Sequence, residues 1–266
     1  MVRDNPSRLH IAPASSRGDL RKSKKQKRLR DFSRGRRTSA ANAGAVTTPE
    51  YKIDRTKSQT KKKKRRVIAY IDGFNLYFGL REARWKRFYW LNVQTLVRNL
   101  LKADQELVFT KYFTSRVSEP PEKERRQSIF LEALETLSQS RIYYGHYQTN
   151  LQRCRKCANE VMIPSEKMTD VNIAVEILSD AYQDKFDVAL LVSADSDLTA
   201  PVLAIRDLFP EKRIIVAFPP HRHSAHLQRL AHGSLNIGRA SLAKSVFPDR
   251  VPKAGGFVLR KPDEWK

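Results

Sequence analysis

The chain has 266 residues and carries 51 Lys and Arg against 28 Asp and Glu, a formal net charge of +23. Its first stretch lacks an apolar core of the signal-peptide kind, and no segment is long and apolar enough to span a bilayer, so a cytoplasmic protein with no membrane partner is expected. The charge is uneven. Residues 1–66 hold 22 Lys and Arg against 5 Asp and Glu, which leaves 29 against 23 for the remainder.

With almost no aliphatic or aromatic content, residues 1–66 cannot bury enough surface to offset chain entropy, and a disordered polybasic tail is expected there. Runs such as Arg21 to Arg28 and Lys61 to Arg66 are dense enough to neutralise several phosphates each. Nucleic acid is favoured over membrane surface as the polyanion, because no amphipathic or lipidation signal accompanies the charge. A merely solubilising leader is the competing reading.

From Val67 the pattern becomes that of one α/β domain reaching about residue 240, followed by a C-terminal extension over 241–266 that trails or lies over it. Residues 66–72, RVIAYID, form a predicted strand ending at Asp72, with Gly73 for a close turn and Asn75 to cap the next helix or bind a phosphate. Residues 84–90, RWKRFYW, interleave basic and aromatic side chains, as in platforms that stack bases; core packing is the competing reading. Val93, Leu96, Val97, Leu100 and Leu101 have helical spacing with Asn92 as cap, and residues 107–116 read as a strand. After Pro120 and Pro121, residues 122–138 read as a helix with Ile129, Phe130, Ala133, Leu134 and Leu137 inward, and residues 141–148 as one strand containing Gly145.

Cys154 and Cys157 make a single CxxC, half of a four-ligand zinc site that His146 or the His221, His223 and His226 group would complete; a reduced surface knuckle is the alternative. Residues 166–182, EKMTDVNIAVEILSDAY, place Val171, Ala174, Val175 and Leu178 on one helical face, with Asp170 in the first turn and Glu176 as an outer acid. Residues 188–192, VALLV, suit a strand covered on both faces, and lead into Ser193, Ala194, Asp195, Ser196 and Asp197. Residues 213–219 and 235–237 supply two further strands.

Alternating strands and helices predict a parallel sheet in a three-layer α/β/α sandwich, Rossmannoid in kind. Neither GxGxxG nor GxxxxGK[ST] occurs, which removes the common phosphate loops. Asp72, Asp170, Asp195 and Asp197 are all expected at one sheet edge. Four carboxylates there repel unless a cation lies between them, and oxygen-only donors suit Mg²⁺ or Mn²⁺. Helix capping is the plainer role for Asp195 or Asp197, and Ser193, Ser196 and Thr199 are hydroxyls able to orient water or phosphate.

The segments IDGFNLYFGL, EKMTDVNIAVEIL and LLVSADSDLTAPV resemble the three signature segments of NYN domains, PIN-like nucleases that include the LabA-like proteins. The resemblance covers Val67 to about Gly238. It implies a PIN-like fold and Mg²⁺-dependent RNA cleavage, with Asp72, Asp170, Asp195 and Asp197 as the acidic metal pocket, Asn75 and Ser193 as polar companions, and Lys167 as the lysine before the second acid. The expected function is therefore a metal-dependent ribonuclease, an endonuclease by preference, tethered to RNA by its basic tail. A non-catalytic RNA- or DNA-binding module is one alternative. A hydroxylase of pyridine derivatives, implied by one subgroup of similar proteins, is the other. Whether two chains pair as a homodimer is left open.

Overall fold

Residues 67–71 alternate between two apolar layers: Val67, Ala69 and Ile71 join one buried cluster, while Ile68 and Tyr70 join a second. A strand buried on both faces can do this only in the middle of a sheet with helices above and below. The computed structural model describes residues 63–117, 120–153, 157 and 159–266. In chain order it contains β1 (Arg65–Asp72), α1 (Gly73–Glu82), α2 (Val93–Leu100), β2 (Gln105–Thr114), α3 (Pro121–Glu135), β3 (Ser140–Tyr144), β4 (His146–Arg153), β5 (Glu160–Lys167) and α4 (Thr169–Tyr182). There follow β6 (Val188–Val192), α5 (Thr199–Leu208), β7 (Arg213–Phe218), α6 (Ala225–Leu230), β8 (Gly233–Asn236), α7 (Arg239–Ala243), β9 (Arg250–Pro252) and β10 (Val258–Arg260).

Six strands form the central sheet in the order β3-β2-β1-β6-β7-β8, and every neighbouring pair is parallel. The helices α1, α2, α3 and α7 cover one face through Leu76, Leu80, Leu96, Leu131 and Leu242. On the other face α4, α5 and α6 contribute Ile173, Ile177, Val202, Ile205 and Leu227. This is a three-layer α/β/α fold. From the middle of the sheet the chain runs outward through β2 and β3 in its first half and through β7 and β8 in its second. The reversal therefore lies between β1 and β6, and open α/β sheets bind their ligands in the crevice at the carboxyl ends of such a strand pair.

Three expectations need correction. Arg65 and Arg66 belong to β1 rather than to a tail: Arg65 pairs with Asp104 at 2.7 Å, and Arg66 with Asp187 at 2.8 Å and Asp184 at 3.1 Å. Their charge is therefore matched inside the fold; the rest of the basic segment, residues 1–62, lies outside the described residues. The single strand expected over 141–148 is broken at Gly145. Residues before it join the sheet, and those after it leave as β4 to pair antiparallel with β5, His146 opposite Lys167.

The third correction concerns α4, where Ile173, Ile177 and Ala181 face inward while Val171 and Val175 are 58% and 59% exposed. Ile173 and Ile177 outweigh the valines in apolar area, and the same rotation buries Asp180, whose carboxylate meets Tyr70 Oη at 2.7 Å and the Lys111 ammonium. Lys111 also bonds Glu176 at 2.5 Å, so Glu176 belongs to this buried cluster. Burial, then Asp180, pushes the Tyr70 hydroxyl well above its ordinary pKa. At Lys111 burial pulls down, but the bonds to Asp180 and Glu176 prevail and its pKa is raised.

Beyond Leu242, Phe247, Val251 and Trp265 enter the same apolar layer as α1 and α2. Trp265 stands 5.9 Å from Tyr89 and 6.2 Å from Phe130 between ring centres. Trp90 donates from Nε1 to Pro248 O at 2.8 Å.

Candidate active site at the sheet switch point

Asp72 is the last residue of β1 and the N-cap of α1, accepting from the Asn75 backbone N–H at 2.9 Å on Oδ1. The turn needs Gly73, because a Cβ there would lie 2.6 Å from the Tyr112 ring and 2.7 Å from Phe113 O. The other oxygen, Oδ2, accepts from Ser193 Oγ at 2.9 Å. Ser193 in turn accepts from the Asp195 N–H at 3.0 Å, and Asp195 Oδ1 accepts from the Asp197 N–H at 3.0 Å. Asn75 is not the helix cap. Its Oδ1 accepts from the Ala194 N–H at 3.1 Å, tying α1 to the loop after β6. Asp72 is 4% exposed and Ser193 fully buried, so these bonds are shielded from competing water.

The capping role expected for Asp195 is therefore real, and it engages one oxygen of a carboxylate that has about four lone-pair positions. Thr199 Oγ1 is committed to Ser196 O at 2.7 Å, while Ser196 and Asp197 are exposed.

Asp170 arrives from the opposite direction. The chain leaves β5 at Lys167, turns through Met168 at φ 74°, and begins α4 at Thr169. Gly145 makes this approach possible: a Cβ there would lie 2.6 Å from Lys167 O and 2.8 Å from both Ser115 Oγ and Thr169 Oγ1. Half-buried in the first turn of α4, the Asp170 carboxyl is raised above its ordinary pKa by burial and then by the charges of Asp195 and Asp197. Asp170, Asp195 and Asp197 thus repel one another at the crevice. Lys167 is exposed and has no ion pair among the described residues.

Oxygen-only donors and mutual repulsion fit a hard dication in their chemistry. In distance the fit is incomplete: among the described residues no three Asp, Glu, His or Cys side chains converge closely enough to hold one. For the zinc reading, Cys157 is a free, exposed thiol and Cys154 lies outside the described residues.

The aromatic platform expected over 84–90 is mostly core. Phe88 and Trp90 are 2% and 0% exposed: Phe88 packs edge-to-face with Trp85 at 5.9 Å between ring centres, and Trp90 packs against Phe247 and Trp265. Lys86, Phe88 and Tyr89 instead line a cleft of about 630 Å³ bounded by α1, the start of α3 and Trp265, which reaches the sheet edge at Gly73 and Thr114. The interleaved basic and aromatic pattern was the only hint of it. Tyr77, Arg81 and Arg126, which complete its walls, carried no signal.

The parallel sheet with helices on both faces, and with Asp72 ending β1 at its switch point, has a PIN-like, nuclease-type fold. Residues 66–237 match the family model described as NYN domain, and the chain belongs to that family, part of the PIN-like nuclease superfamily. It is 28% identical over 240 residues to the 6-hydroxy-3-succinoylpyridine 3-monooxygenase HspA of Pseudomonas putida, a similarity that covers 75% of each chain. A crystal structure of a Vibrio parahaemolyticus protein of unknown function is similar at a TM-score of 0.44 and 20% identity, covering 70% of this chain and 98% of that one.

Proposed function

We propose that the chain is a metal-dependent ribonuclease that hydrolyses internal phosphodiester bonds of single-stranded or loosely structured RNA. The observation that carries this reading is the buried relay from Asp72 through Ser193 to Asp195 at the switch point, with Asp170 in electrostatic reach. Asp72, Asp170, Asp195 and Asp197 would hold Mg²⁺ or Mn²⁺. When bound, such a dication supplies Lewis-acid charge for in-line attack of water on phosphorus and departure of a ribose oxygen. Ser193 and Asn75 orient the two halves of the site, and Lys167 meets a phosphate. The basic segment 1–62 adds salt-dependent, sequence-blind affinity for the RNA strand.

Purified protein with single-stranded RNA tests this. Cleavage is expected with Mg²⁺ or Mn²⁺, is expected to stop with chelator, and should fall at least about a hundredfold in Asp72→Asn and Asp195→Asn with RNA binding retained. Undiminished hydrolysis in the purified variants would refute the assignment. Binding without turnover by the wild type would leave a non-catalytic RNA-binding module.

A second reading is favoured by the monooxygenase named above and by the aromatic cleft beside Gly73. In it the substrate is a pyridine derivative, and the reaction consumes O₂ and an external reductant. Substrate-dependent O₂ and NAD(P)H consumption by purified protein supports this reading; its absence, with RNA cleaved, removes it.

A further inference from the structure

The cleft bounded by α1, α3 and Trp265 takes no part in the acidic relay, yet it opens beside it. Gly73, which lines the cleft, directly follows Asp72, and Thr114, also in its lining, ends the strand next to β1. Its volume of about 630 Å³ lies in the range of roughly 300–1,000 Å³ usual for small-molecule sites. Its walls combine two kinds of group. Tyr77 and Tyr89 stand 5.1 Å apart between ring centres, and Trp265 is 5.9 Å beyond Tyr89. The cations are Arg81, Lys86, Lys123 and Arg126.

Arg126 is matched by Glu264 at 2.9 Å. Arg81, Lys86 and Lys123 have no carboxylate partner among the described residues, so the described walls of the cleft carry a net positive charge. Aromatic faces alone suit any apolar ligand. Aromatic faces with three unmatched cations suit a planar ring that bears an anion, and Tyr77, 36% exposed, presents its ring at the mouth.

We propose that this cleft is a nucleotide subsite: it receives one unstacked base of the RNA strand among Tyr77, Tyr89 and Trp265, and holds the attached phosphate with Arg81, Lys86 and Lys123. The proposal deepens the ribonuclease reading and rests on it for the identity of the strand. Because the cleft meets the sheet edge at Gly73, a base seated there brings its neighbouring phosphodiester toward Asp72. Sequence preference, in this arrangement, is set by one base close to the scissile bond.

Binding is measured on the full chain by quenching of tryptophan fluorescence and by calorimetry, with 5′-UMP, 5′-AMP, ribose 5-phosphate and pyridine-3-carboxylate as probes. Mononucleotides are expected to bind at least about tenfold tighter than ribose 5-phosphate, which has the phosphate without the base. Tyr77→Ala should weaken mononucleotide binding about tenfold and raise KM for RNA with little change in kcat, while Tyr77→Phe restores both. Lys86→Ala should weaken binding and reduce its dependence on salt. Asp72→Asn should bind mononucleotides like the wild type, so failure of the nuclease assignment leaves this readout intact. Equal affinity for ribose 5-phosphate and UMP overturns the proposal, as does unchanged binding in Tyr77→Ala. Tighter binding of pyridine-3-carboxylate than of either nucleotide overturns it in favour of a small aromatic acid.

Discussion

Ser193 Oγ donates to Asp72 Oδ2 at 2.9 Å across 121 positions of sequence, and the same oxygen accepts from the Asp195 N–H at 3.0 Å. One buried hydroxyl thereby joins the ends of β1 and β6. Ser193→Ala removes both bonds, and the loss should destabilise the fold by about 1–3 kcal/mol. RNA cleavage should fall about 10- to 100-fold with KM little changed, because Asp72 keeps its place in the chain but loses its orientation. Urea denaturation and initial-rate measurements check the two effects separately. A variant with wild-type stability would show that the relay contributes nothing to the fold.

Gly145 tests how Asp170 is delivered. An added Cβ would come within 2.8 Å of Ser115 Oγ, Thr169 Oγ1 and Lys167 O, the last a backbone atom that cannot rotate away. Gly145→Ala should therefore cost about 1–3 kcal/mol and push the start of α4 from the crevice. Cleavage should drop by more than the stability loss explains, which is seen by assaying far below the melting temperature. Full activity at that temperature would mean that the position of Asp170 does not matter.

The cluster of Tyr70, Lys111, Asp180 and Glu176 makes stability depend on alkaline pH. Tyr70 and Lys111 both have folded-state pKa values raised above the ordinary 10.0 and 10.5, so the native state keeps protons that the unfolded chain releases. Their contribution is fully present below about pH 10 and is lost as pH rises through the folded values. The urea midpoint should be flat from about pH 7 to 9 and decline above pH 10. In Tyr70→Phe the slope of that decline should be smaller by up to about 1.4 kcal/mol per pH unit. An identical slope in the variant would locate the effect elsewhere.

The orientation of α4 is open to a direct comparison. Ile177 is 1% exposed and Val175 59%. Ile177→Ala should cost about 2–5 kcal/mol by leaving a cavity, whereas Val175→Ala should stay within about 0.5 kcal/mol. Equal costs would contradict the observed face.

Much of the architecture is legible in the sequence alone. The VALLV run leading into Ser193 and the RVIAYID run ending at Asp72 announce strands covered on both faces, because unbroken apolar runs of that length have few other uses. Asn92 capping α2, accepting from the Thr95 N–H at 2.9 Å, follows from local chemistry alone. In α4 the expectation failed because its apolar residues occupy more than one face. Spacing could not choose between Val171 with Val175 and Ile173 with Ile177; the buried pairing of Asp180 with Lys111 and Tyr70 is a long-range contact absent from any local window.

Local sequence, then, determined which residues form strands and helices and that several aspartates fall at strand or helix ends, since those properties depend on near neighbours and on residue type. Only the tertiary structure decided that β1 lies beside β6, that Ser193 bonds Asp72 while Asn75 ties to Ala194, and that Tyr77, Lys86 and Trp265 share one cleft. These relations join segments separated by tens to nearly two hundred residues. They arise from strand order and helix packing, which the whole chain settles at once as its apolar faces are buried.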